Sequence, residues 1–236
     1  MSCDLINNGF YLEKNFISKK DITKLENDIL TLTECKEPID FSNLCVRLDK
    51  ESKNELFELN KFINRHHIVT SLQNNLIKFF NNQNLYFDGN FPLYLGGGFL
   101  FGLPKDDRLT YNWHQESNYM PNFDNLFNAW LPLFFENSKN NGTMTIIDKS
   151  HLSGRLPYTR VDKPGGFCDL VTNVEKFDLE KDIHICNAKP GEAYIFDQNT
   201  IHRSNYNSSD ITRFSITVRY AFTKKKAAVD NWKKFY

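Results

Sequence analysis

Arg213-Phe214-Ser215-Ile216-Thr217-Val218-Arg219-Tyr220 alternates polar and apolar side chains without a break. Successive side chains of a strand point to opposite faces, so this stretch is one β-strand with Arg213, Ser215, Thr217 and Arg219 on one side. Two readings of that polar side are open: a solvent-facing edge, or the inside of a barrel whose apolar side packs on another layer. The second is favoured because the strand begins eleven residues after His202 and is flanked by apolar runs.

Working outward, Ile201-His202-Arg203-Ser204 is matched far upstream by Trp113-His114-Gln115-Glu116. If residues 113 to 116 continue as a strand, His114 and Glu116 project toward one point, and His202 closes a triangle around it. Two histidines and one carboxylate on one face of a metal leave the opposite positions open, and these ligands suit a divalent iron. No thiolate cluster is present to build a closed structural zinc site. A His-x-acid triplet by itself equally describes a surface or capped core histidine. Arg213 and Ser215, set to hold an anion on the same polar face, strengthen the metal reading.

Further segments follow in order: Asn128-Ala129-Trp130-Leu131-Pro132-Leu133, then Asn141-Gly142-Thr143-Met144-Thr145-Ile146-Ile147-Asp148-Lys149-Ser150-His151, then Lys189-Pro190-Gly191-Glu192-Ala193-Tyr194-Ile195-Phe196-Asp197 leading into His202. Over roughly residues 93 to 221 this series resembles the phytanoyl-CoA dioxygenase-like family of Fe(II)- and 2-oxoglutarate-dependent oxygenases. The family's Trp-x-Pro-Leu strand, its Asn-Gly turn running into Gly-Ser-His, and its Pro-Gly-Asp turn before the distal histidine all have counterparts. Two departures stand out: Lys149 where the family has glycine, and Glu116 where it has aspartate. Glutamate is still a hard anionic oxygen ligand.

The resemblance implies that His114, Glu116 and His202 hold Fe(II), that 2-oxoglutarate chelates it, and that O2 takes the last position. It implies that Arg213, with Ser215, receives the far carboxylate of 2-oxoglutarate, and that Gln115, Trp130 and Ser204 approach the same molecule. Gln115 can do so only if the strand bends or ends, since in a regular strand it faces away from His114. Trp130 is equally readable as a buried aromatic, and Ser204 as a residue satisfying backbone in a turn. The implied reaction is hydroxylation of an aliphatic carbon of a small molecule, with release of succinate and carbon dioxide. A cupin-like isomerase or epimerase and a catalytically silent binding protein of the same fold are the alternatives, the latter suggested by Glu116.

The expected architecture is mainly β with α: a double-stranded β-helix of the jelly-roll, cupin-like kind, packed by N-terminal helices. Residues 1–236 are expected to form one domain, with 1–90 as helical support and 91–222 as the β core. Helices are expected from Ser18, from Ser52 with Leu56, Phe57, Leu59 and Phe62 as its stripe, and through Leu72, Leu76, Ile77 and Phe80. Strands are expected over 109–114, 127–135, 143–148, 183–187, 192–197 and 211–221. Gly96-Gly97-Gly98 lacks the following helix of a phosphate cradle and reads as a bulge or tight bend. Residues 152–182 interrupt the strands for too long to be an ordinary connection, and are either a surface loop or a lid offering Arg155, Tyr158 or Arg160.

Lys and Arg total 29 and Asp and Glu total 29, so no net field draws nucleic acid or membrane, and no nucleic-acid motif is present. No apolar run approaches membrane-spanning length, and the amino terminus lacks a leader pattern, so a cytoplasmic protein acting on a small molecule is expected. Five scattered cysteines without a Cys-x-x-Cys pair read as reduced thiols. His66 and His67 read as structural or exposed, His151 as a turn or packing residue, and His184 as a replacement ligand should the strand placement fail. Lys224-Lys225-Lys226 reads as a solvated surface run.

Overall fold

The computed structural model describes residues 4–65, 72–83, 85, 91–108, 110–123, 125–163 and 166–223. His66, His67 and the lysine run at 224–226 lie outside them. The helices precede most of the strands: α1 (Asp4–Asn8), α2 (Lys19–Leu32), α3 (Pro38–Glu51), α4 (Lys53–Arg65) and α5 (Gln73–Asn82). Ser18 caps α2, accepting from Asp21 N at 3.1 Å while its hydroxyl donates to the Asp21 carboxylate at 2.6 Å. Ser52 accepts from Glu55 N at the start of α4. Leu56 of α4 is buried as expected, but Phe57 and Phe62 of the expected stripe are half exposed, and Ile63 is buried in their place. The inward face of α4 also carries Asn60 and Asn64, which bond the Phe99 backbone at both its carbonyl and its N–H. Helical spacing reveals that a stripe exists, but these polar anchors shift its centre.

Among the described residues the strands are β1 (Phe10–Glu13), β2 (Phe91–Gly102), β3 (Asn125–Leu133), β4 (Met144–Ile147), β5 (Tyr158–Lys163), β6 (Gly166–Val171), β7 (Ile183–Ile185), β8 (Ala193–Asp197), β9 (His202–Ser204) and β10 (Arg213–Thr223). The larger sheet has the order β1-β8-β3-β10-β2, antiparallel throughout. The smaller has β7-β4-β9. His114 bridges β9 on one side and Leu170 of β6 on the other, so the β5–β6 hairpin extends that smaller sheet. The two sheets form the jelly-roll core expected of a double-stranded β-helix.

Several elements differ from the sequence reading. Of the strand expected over 109–114, residue 109 lies outside the described residues, and among 110–114 only His114 enters the ladder. Strand β1 sits within the stretch expected to be helical, recruited by pairing with β8. The segment 152–182 carries the β5–β6 hairpin rather than a bare loop. The glycine run lies inside β2 and makes the expected bulge: Gly96 has φ +91°, and the register against β10 slips between Val218 and Tyr220.

The apolar face of β10, with Phe214, Ile216, Val218 and Tyr220, packs with the N-terminal helices in the main core. Phe41 of α3 is fully buried there, stacked on Phe214 at 4.6 Å between ring centres and set edge-on to Phe134 at 5.8 Å. The opposite face of the larger sheet meets the smaller one through Trp130, Met144, Ile146, Cys186, Tyr194 and Phe196. The polar side of β10 therefore looks into the space between the sheets. Phe41→Ala should lower unfolding free energy by about 3–5 kcal/mol, the usual cost of deleting a buried phenyl ring, as read from urea denaturation. A loss under about 1 kcal/mol would mean that the helices do not hold the sheet through this ring.

Candidate metal centre

His114 and His202 exchange two backbone hydrogen bonds, His114 N to His202 O at 3.0 Å and His202 N to His114 O at 3.1 Å. This antiparallel pair sets their rings side by side, with centres 4.1 Å apart. Each Nδ1 lies against a backbone carbonyl, Asn112 O at 2.7 Å for His114 and Thr200 O at 2.9 Å for His202. A carbonyl only accepts, so each Nδ1 carries the proton and each Nε2 keeps a free lone pair, the tautomer a metal needs.

Glu116 does not share a regular strand with His114. The chain is extended at Gln115 (φ −127°, ψ 141°), and Glu116 opens a short helical turn, α6 (Glu116–Tyr119). The strand ends because Gln115 is clamped. Its amide nitrogen donates to Gly154 O and Asn199 O, and its amide oxygen accepts from Leu156 N. The turn still brings the carboxylate beside the imidazoles, with Oε1 3.8 Å from His202 Nε2. One ligand atom from each of His114, Glu116 and His202 lies within 4.8 Å of the others, and all three residues are buried. They are the one such cluster among the described residues.

Burial lowers the pKa of both imidazoles, that of His202 to about 3, so both are neutral near pH 7. Burial alone would raise Glu116. The charge and hydrogen bond of Arg219, together with the imidazoles, outweigh it and hold the carboxyl at about 2. Since the imidazoles are uncharged at neutral pH, Arg219 is the cation that acts there. Its Nε lies 2.8 Å from Glu116 Oε2, and its Nη2 lies 3.4 Å from Oε1.

The centre opens into a cavity of about 360 Å³ lined by Trp130, His114, Glu116, His202, Ser204, Arg213 and Arg219, with Leu100, Tyr111, Tyr119, Met120 and Phe167 among its other walls. Arg213 is buried, and its one hydrogen bond among the described residues is from Nη1 to Gly142 O. Its Nε is without a partner, as is the buried Ser215 Oγ. Burial pulls the guanidinium down to about 10. A buried cation with no carboxylate beside it is costly unless an anion completes it. Gly102 leaves room for this arrangement: a Cβ there would lie 3.2 Å from Arg213 Nη2.

A sequence profile of the phytanoyl-CoA dioxygenase family matches residues 6–215. The chain belongs to this family. Among curated protein sequences none matches it. Solved structures with the same fold include the non-heme monooxygenase ThoJ in its apo form, at 16% identity and TM-score 0.61 over 92% of this chain and 75% of that one. EvdO2 from Micromonospora carbonacea var. aurantiaca, complexed with 2-oxoglutarate, superposes at 15% identity and TM-score 0.58 over 94% and 90%. The epimerase SnoN, in complex with Fe3+ and alpha ketoglutarate, does so at 13% identity and TM-score 0.54 over 92% and 80%.

Of the residues singled out from sequence in this phytanoyl-CoA dioxygenase-family chain, the structure gathers His114, Glu116, His202, Arg213, Trp130 and Ser204 around one cavity. It does not bring Gln115 there, because the backbone bonds above consume its amide. Ser204 sits on β9 rather than in a turn, and Ser215 is fully buried beside the lining. His184 is apart from the cluster, bonded to Tyr194 Oη at 2.9 Å, and His151 Nε2 lies 2.9 Å from Ile6 O. Arg155 and Arg160 pair with Asn118 and Asp169; Phe167 is the hairpin side chain on the cavity wall. Sequence reasoning placed Arg219 on the correct face but gave it no role. Among the described residues no helix is long and apolar enough to cross a membrane.

Histidine ordinarily titrates near pH 6.5, so between that pH and about 3 the unfolded chain binds a proton at His202 that the folded chain refuses. The stability is complete above that range and is lost as pH falls, by at most about 1.4 kcal/mol per pH unit. Metal-free wild type should therefore lose stability more steeply than His202→Leu between pH 7 and 5, measured by urea denaturation. Parallel curves would show that His202 is not held neutral.

Proposed function

We propose that the protein is an Fe(II)- and 2-oxoglutarate-dependent dioxygenase that hydroxylates an aliphatic carbon of a small molecule, releasing succinate and carbon dioxide. The observation that carries this reading is the joint presence of a neutral two-histidine, one-carboxylate cluster and a buried, uncompensated Arg213 in one cavity. His114, Glu116 and His202 would hold the iron: both Nε2 lone pairs are free, and one carboxylate adds the negative charge that a divalent ion needs. Iron(II) bound there would supply the oxygen chemistry, coupling decarboxylation of 2-oxoglutarate to oxidation of the substrate.

The chain's own work is binding, orientation and exclusion of water. Arg213 would receive the far carboxylate of 2-oxoglutarate through charge-assisted hydrogen bonds, and Ser215 would offer its spare hydroxyl from the same face. Trp130 and Ser204 would flank the co-substrate, while Gln115 would act only by tying the metal-bearing turn to residues 154–156 and 199. The primary substrate would enter between Leu100, Tyr111, Tyr119, Met120 and Phe167, so the β5–β6 hairpin would serve as part of its cover.

Two features disfavour an isomerase working by histidine acid–base chemistry. An imidazole held at about 3 is a poor general acid or base near neutral pH. That reading also leaves the buried cation at Arg213 unexplained.

The test is an anaerobic absorption titration of metal-free protein with Fe(II) and then 2-oxoglutarate. A charge-transfer band that needs both ligands, and that His202→Ala lacks, is the expected result. Arg213→Ala should keep iron binding and weaken 2-oxoglutarate roughly ten- to hundredfold, the scale of about 1.5–3 kcal/mol for a hydrogen bond to a charged group. Equal loss of both ligands would remove Arg213 from its role. The absence of a band in iron-loaded wild type would overturn the oxygenase reading.

A further inference from the structure

Within the oxygenase reading, on which this inference rests, Arg219 remains without an assigned function. It is a cation in the metal cavity, the last member of the polar row on β10, and it binds a proposed metal ligand directly. The two oxygens of Glu116 are treated differently. Oε2 takes the short hydrogen bond from Arg219 Nε at 2.8 Å, while Oε1 takes a longer one from Nη2 at 3.4 Å and lies 3.8 Å from His202 Nε2. The guanidinium holds Oε2 tightly and Oε1 loosely, and the loosely held oxygen is the one beside a ligand nitrogen.

This asymmetry matters because a carboxylate can bind a metal through one oxygen or through both. A two-histidine, one-carboxylate centre keeps enough positions open for a chelating co-substrate and a further ligand only while its carboxylate uses one oxygen. Glu116 has one more rotatable bond than the aspartate common in the family, and so more freedom to swing both oxygens inward. Its backbone starts a helical turn, so the strand does not restrain it.

We propose that Arg219 is a positioning residue that holds Glu116 Oε2 away from the metal, keeps the glutamate a one-oxygen ligand, and so preserves the coordination positions that 2-oxoglutarate requires. The planar guanidinium suits this task because its fork fixes a carboxylate in orientation as well as in place. Partners of metal ligands commonly tune the ligand they hold. The nearby cation also opposes a divalent ion, so its removal should not weaken metal binding. Metal affinity is thus expected to hold or rise while co-substrate affinity falls, which general damage to the fold would not produce.

The experiment titrates Co(II), whose ligand-field absorption reports coordination, and then 2-oxoglutarate into full-length wild type, Arg219→Met and Arg219→Lys, with melting temperatures confirming that each is folded. Arg219→Met keeps the length of the chain without its donors. It should bind Co(II) as tightly as wild type or more so, show a shifted Co(II) spectrum before any 2-oxoglutarate is added, and bind 2-oxoglutarate at least tenfold more weakly. Arg219→Lys, which keeps the charge but not the fork, should recover only part of that loss. An unchanged Co(II) spectrum in Arg219→Met, full recovery by lysine, or a parallel fall of both affinities would overturn the inference while leaving the oxygenase reading in place. A wild type that takes up no Co(II), or takes it up without then binding 2-oxoglutarate, would overturn both.

Discussion

Everything in the candidate centre depends on the pair of backbone hydrogen bonds between His114 and His202. They place two imidazoles from distant parts of the chain side by side, 4.1 Å between ring centres. They also splice residue 114 into the smaller sheet between β9 and β6. The same connection brings the β5–β6 hairpin to the cavity, since Leu170 pairs with His114 and Phe167 lines the wall. The ligand geometry is therefore a property of sheet pairing, and it is rigid for the reason that a β-ladder is rigid: each backbone donor already has its acceptor.

Charge is the second constraint. Three ionisable ligands and three arginines, Arg203, Arg213 and Arg219, line one cavity. Burial suppresses the charge of both imidazoles, leaving Glu116 as the ligand anion and Arg219 as its counterion. Arg213 stands apart with a carbonyl as its partner and Nε unsatisfied. Folding would not favour such a cation for stability, because burying it unpaired costs free energy. The arrangement makes physical sense for binding an anion, and it explains why β2 carries Gly102 opposite Arg213.

The alternation over residues 213 to 220 identified β10 and its two faces correctly, because a period of two is a local property. Ser18 and Ser52 marked two helix starts for a similar reason, a cap being settled within one turn. Local pattern failed where a partner decided the outcome. Strand β1 forms because β8 is there to pair with it, and Phe57 stays outside because Asn60 and Asn64 reach the Phe99 backbone. Residues 110–114 contribute a single bridged residue, His114, before the chain turns at Gln115, which is bound by carbonyls about forty and eighty positions away.

The sequence by itself determined the class of fold, the order of its motifs and the chemical types at the centre: two histidines, a carboxylate and an arginine on one polar face. The polar face follows from a period of two and the ligand types from side-chain chemistry, while the order of the motifs was read from the family resemblance; none of these needs coordinates. Only the tertiary structure decided that Glu116 leaves the strand for a helical turn, that Gln115 is spent on backbone, and that Arg219 takes the second carboxylate oxygen. Glu116 and Arg219 are separated by more than a hundred residues of chain. A face can be read from a strand alone, but the side chain it meets across the fold is set by how two sheets close.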